Sequence, residues 1–103
     1  MKSLYKMMGV VFMALPLAGC GGASDYQVPA GATPEQVFAA ACEGCHGTGG
    51  SGKFGLFLKL AGTGDTVSEI AAKVGNGGRI MPAFSRMSET ERMALAEYVK
   101  TLK

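Results

Sequence analysis

Cys42, Glu43, Gly44, Cys45 and His46 form a C-x-x-C-H run, the pattern in which two thiols hold a haem covalently and an imidazole takes its iron. The spacing has a physical basis. On a helix, positions 42, 45 and 46 stand at i, i+3 and i+4 and share one side. Both thiols can then meet the vinyl groups on one porphyrin edge while the imidazole rises beneath the metal. Two other chemistries use such cysteines. A thioredoxin-like redox pair wants a strand before it in a βαβ context, and none is visible. A structural zinc site wants four ligands, and beyond Cys42, Cys45 and His46 only Cys20 is of the right type. His46 is the one histidine of the chain, so no second imidazole from this chain can bind the iron.

The opposite face of such an iron either takes another ligand or stays open. After the first twenty residues three methionines remain, Met81, Met87 and Met93. Met81 is the expected distal ligand. It lies in the run Asn76, Gly77, Gly78, Arg79, Ile80, Met81, Pro82, Ala83, Phe84, where glycines permit an irregular path and Pro82 stiffens the backbone beside the sulfur. Met87 directly precedes a helix start and is the competitor; Met93 falls among helical positions and reads as core filling.

Three helices must position these groups. Thr33, Pro34, Glu35 and Gln36 form a capping box with proline at the first helical position, and Val37, Phe38, Ala40 and Ala41 give the segment an apolar face. A middle helix, opened by Thr66 and Glu69, runs through Ile70, Ala71 and Val74 and is expected to stop at Gly75. The last begins at Ser88, Glu89, Thr90, Glu91 and carries an apolar stripe of Leu95, Tyr98, Val99 and Leu102. That stripe is expected to cross the first helix near Phe38. Leu56, Phe57, Leu58, Leu60, Ile70, Ile80 and Phe84 are expected to pack around the porphyrin.

The first twenty residues read as an address. Lys2 and Lys6 precede an apolar run over residues 7–15, the layout of a secretory signal and too short for a comfortable membrane span. Leu17, Ala18, Gly19 and Cys20 look like the lipobox of bacterial lipoproteins, in which the cysteine becomes the lipidated first residue of the mature protein. An ordinary signal followed by a free or disulfide-bonded Cys20 is the other reading. Residues 20–33, without periodicity and with Pro29, the pair Gly21 and Gly22, and Gly31, read as a flexible linker. Its thirteen residues past the cysteine span at most roughly 45 Å.

Composition bounds the remainder. The 103 residues hold one domain at 34–103, small enough that its core needs a supplement such as a disulfide, a metal or a cofactor. The formal charge of +2 misleads: without Lys2 and Lys6, eight of the ten basic residues remain against eight acids. With no basic stripe and interleaved aromatics, nucleic acid is not an expected partner.

A capped helix running into C-x-x-C-H, a glycine-rich loop, a short middle helix, a loop with Met-Pro-Ala-Phe and a capped last helix bearing Leu-Ala-Glu-Tyr-Val together resemble the small class I cytochromes c. The likeness covers residues 34–103. It implies an all-α fold of three to four helices around one covalently attached haem c, with Cys42 and Cys45 carrying the thioethers, His46 the proximal ligand and Met81 the distal one. It also implies that Phe38 and Tyr98 pair where the terminal helices cross. One departure stands out. Family members have a proline after the haem motif whose carbonyl accepts from the proximal imidazole, yet no proline occurs between His46 and Pro82. A carbonyl within residues 54–58 is the expected substitute. Lys53, Arg79 and Arg86 are candidates for the propionates, with a solvated surface role the default for each. The implied function is electron carriage, not enzymatic catalysis, by a monomer that is exported, lipid-anchored at Cys20 on the periplasmic face of a membrane, and served by redox proteins or respiratory complexes. A haem enzyme or gas sensor with an open or displaceable distal position is the alternative.

Overall fold

The computed structural model describes residues 24–103. Among these residues the regular structure is helical: α1 over Pro34–Ala41, α2 over Glu43–His46, a 3₁₀ turn over Thr48–Gly50, α3 over Val67–Asn76 and α4 over Glu89–Thr101. Each of the three longer helices opens as its sequence predicts. Thr33, Thr66 and Ser88 accept from the backbone N–H of Gln36, Glu69 and Glu91, and those three side chains accept in return from the cap N–H. Two donors that a helix start leaves unpaired are thereby satisfied each time. In the middle helix the bonds from Thr66 hold the Glu69 carboxyl below its ordinary range.

The end of α3 differs from expectation. The helix passes through Gly75 and closes at Asn76, with Gly77 as its C-cap at φ 75° and its N–H donating to the Lys73 carbonyl. Gly75 has a different reason to be glycine. A Cβ there would come within 2.9 Å of the Arg92 guanidinium on α4, so the small residue leaves room for the end of that side chain. Gly77 does the turning, since only glycine takes a positive φ without strain.

The core joins all three longer helices. Val37 and Phe38 of α1, Ile70, Ala71 and Val74 of α3, and Leu95, Ala96 and Val99 of α4 are buried together with Cys42, Phe84 and Met87. Phe38 and Tyr98 meet edge to face, their centroids 5.6 Å apart, in the geometry aromatic pairs favour. The expected crossing of the last helix over the first at Phe38 is thus present. Because Phe38 is wholly buried, Phe38→Ala should lower the unfolding free energy by about 3–5 kcal/mol. Denaturant titration of the holoprotein measures it; a loss under about 1 kcal/mol would mean that the helix crossing is not a principal source of stability.

Candidate functional site

The C-x-x-C-H residues stand at a break between two helices. Cys42 closes α1 and opens α2 with φ −117°, yet its carbonyl still accepts from the N–H groups of Cys45 (3.2 Å) and His46 (2.9 Å). The three residues therefore keep the i, i+3, i+4 relation that the chemistry requires. Cys42 is buried, whereas Cys45 and His46 are half-buried. Burial, reinforced by the charge of Glu43, pushes the Cys42 thiol up to about 12. A thioredoxin-like redox pair wants a strand leading into the motif, and none does among the described residues. The thioredoxin-like reading fails on that ground.

Downstream, residues 47–61 fold back on the motif. The Gly52 N–H donates to the His46 carbonyl (2.6 Å), the Lys53 N–H to the Phe57 carbonyl (2.8 Å), and the N–H groups of Leu60 and Ala61 both donate to the Gly50 carbonyl. Glu43 braces the turn by accepting from the Gly49 N–H at 3.2 Å. This path brings the carbonyl of Leu58 to 2.6 Å from His46 Nδ1. A carbonyl can only accept, so Nδ1 carries the proton and Nε2 keeps its lone pair for a metal. The bond the family makes with proline is made here by Leu58, within the predicted stretch. It has a backbone cost: Leu58 sits at φ 61° and Phe54 at φ 47°, a region that strains a residue with a Cβ by roughly 1–3 kcal/mol. Proline cannot reach a positive φ, which is why this route to the imidazole excludes it.

The three methionines separate clearly. Met87 is fully buried among core side chains and is held by packing; Met93 lies on α4 against the core. Met81 is half-buried in the loop after α3, at the margin of the core, where its carbonyl accepts from the Gly78 N–H at 2.9 Å. Gly77 is tight against that same carbonyl, since a Cβ on it would stand 2.8 Å away. The Met81 backbone is thus fixed from two sides while its side chain is only partly covered.

Of the side chains expected around a porphyrin, Ile70 and Phe84 belong to the core and Leu60 packs on it. Leu56, Phe57 and Ile80 are instead exposed, at 74%, 56% and 60%. They lie on the two loops that carry the His46 hydrogen-bond acceptor and Met81. Bare apolar side chains of that size on functional loops mark a surface that a large apolar group covers. An imidazole with Nε2 available, a loop thioether, two cysteines on one helical side and uncovered aliphatic and aromatic groups together fit a haem. Lys53, Arg79 and Arg86 are exposed, in the solvated positions that are the default for them. Cys20 lies outside the described residues.

What the sequence did not signal is the left-handed backbone at Phe54 and Leu58, since neither residue type announces it. Nor did it mark the stretch before α1 as packed: Tyr26, Val28 and Ala32 lie against the core. The alternation of apolar residues at 26 and 28 was the available cue.

Comparison with known proteins points one way. The family profile described as cytochrome c oxidase, cbb3-type, subunit III matches residues 29–99. Cytochrome c-550 of Bacillus subtilis (strain 168) is 36% identical over 75 residues, covering 72% of this chain and 61% of that protein's length. Among solved structures, a histidine-to-isoleucine point mutant of OmcF superposes with TM-score 0.58 at 31% identity, covering 71% of this chain and 98% of that one. Cytochrome c6 of the diatom Phaeodactylum tricornutum superposes with TM-score 0.54 at 33% identity, covering 64% and 85%.

Proposed function

The chain belongs to the cytochrome c family as a small monohaem c-type cytochrome with covalently bound haem c, and from that premise we propose that it carries single electrons with His46 and Met81 as axial ligands. The haem supplies an iron that cycles between the ferrous and ferric states. Everything else falls to the chain. Cys42 and Cys45 fix one porphyrin edge by thioethers. His46 donates Nε2 to the metal, held in that tautomer and orientation by the 2.6 Å bond from Nδ1 to the Leu58 carbonyl, and such an outer bond also raises the basicity of the ligand. That bond is the observation on which the reading chiefly rests.

Met81 offers the second donor. A thioether gives weakly and favours ferrous iron, so His/Met ligation places the potential above that of two imidazoles. Apolar side chains around the ring, Leu56, Phe57 and Ile80 among them, disfavour the extra positive charge of the ferric form. With His46 and Met81 both holding the iron, the haem would supply outer-sphere electron exchange and leave no place for a substrate on the metal. The partners are redox proteins or respiratory complexes, and the neutral balance of the mature charges leaves long-range steering weak. Export with lipidation of Cys20 places the carrier on the periplasmic face of a membrane.

The test is reversible titration of the purified holoprotein. One electron per haem, with no rapid binding of carbon monoxide to the ferrous form, is expected. Rapid ligand binding by the native protein would instead favour a haem enzyme or sensor. The outer bond to His46 has its own test. Leu58→Pro forces φ to about −65°, so it should break the bond to Nδ1 and cost more than about 1 kcal/mol of stability. A perturbed haem spectrum checks the loss, while an unchanged spectrum would show that the Leu58 carbonyl does not orient the ligand.

A further inference from the structure

The residues between Cys20 and α1 read in the sequence as a loose tether, yet much of that stretch is docked. Tyr26, Val28 and Ala32 pack against the core, while Gln27 and Pro29 between them face solvent, the alternation of an extended segment. The Ala32 N–H donates to the Pro29 carbonyl at 3.1 Å, and Gly31 at φ 78° turns the chain into α1. Tyr26 and Ala32 share a cleft with Gln36 and Ala40 of α1. The Tyr26 phenol is raised above its ordinary range by burial first and then by the charges of Cys42 and Glu91.

We propose that this strap, residues 26–32, shortens the tether so that the domain is held on its bilayer in a restricted orientation and exchanges electrons with partners in or on that same membrane. The inference rests on lipidation of Cys20, proposed above. Its geometry follows from chain length. Five residues lie between Cys20 and Tyr26, and the six steps along the chain reach at most about 21 Å, against about 45 Å if everything up to Thr33 were loose. The folded part, about 80 residues, has an expected radius of gyration of about 12 Å and hence a diameter near 30 Å. To turn the strap directly away from the bilayer, its attachment point would have to stand about 30 Å above the surface. A tether of 45 Å allows that and one of 21 Å forbids it. The docked strap therefore both lowers the domain and bars it from inverting. Doubling the tether would lower the effective concentration at a membrane partner roughly threefold.

The experiment uses the lipidated holoprotein in vesicles that carry a fluorescent headgroup lipid, whose emission the haem quenches according to distance. Three forms are compared: native, a form with ten Gly/Ser residues inserted between Ala23 and Ser24, and Tyr26→Ser combined with Val28→Asp to release the strap. Strong quenching by the native form, with a loss of quenching in both others, is expected. Equal quenching by vesicle-bound native and insertion forms would overturn the strap as the limiting element while leaving the anchor intact. Native holoprotein that stays in the supernatant of sedimented vesicles would defeat the anchor, and this inference with it.

Discussion

Met81→Ala should turn a low-spin ferric haem into one without the far-red methionine-to-iron band and lower the midpoint potential by a few tenths of a volt, within the ~0.8 V range that axial ligands command. The cause is the loss of a weak donor that favours ferrous iron, leaving water or nothing in its place. The backbone of the loop is held in place: the Met81 carbonyl is bonded to Gly78 and pressed against Gly77, so the side chain departs from a fixed point. Met87→Ala separates the two candidates. Met87 is buried in the core, so its truncation should cost about 2–5 kcal/mol of stability and leave the band in place. A band lost in Met87→Ala and kept in Met81→Ala would reverse the assignment.

Replacing Cys42 and Cys45 together by serine should abolish the haem signal that follows the chain through a denaturing gel. Covalent attachment matters more here than in a larger protein. The core is drawn from short helices of 8, 10 and 13 residues, and a fold this small stays marginal without a staple. The doubly substituted chain should therefore unfold at much lower denaturant concentration as well as lose its colour. Haem that stays on the denatured double variant would place the attachment elsewhere.

The helices were legible because their signals are local. Thr33, Thr66 and Ser88 each stand three residues before a Gln or Glu, and a capping box states both the helix and its first residue. The crossing at Phe38 and Tyr98 was legible from an apolar stripe plus family likeness. The end of α3 was not, because Gly75 and Gly77 are the same letter with different duties. One admits Arg92 and the other takes a positive φ, and only the neighbours in space distinguish them. The His46 acceptor was legible to within five residues and no better, since a carbonyl's direction depends on φ and ψ rather than on residue type. The strap at Tyr26 and Val28 escaped for a related reason. Two apolar residues among glycines and a proline do not outweigh linker composition, and their burial depends on a surface formed by α1 and α4.

The central claim is that one iron lies between the Nε2 of His46 and the sulfur of Met81. The optical spectrum of the ferric holoprotein, purified after export beside a working haem-attachment system, tests it most directly. A low-spin spectrum with the far-red methionine band is the expected result. A high-spin spectrum lacking that band in the native protein would contradict it.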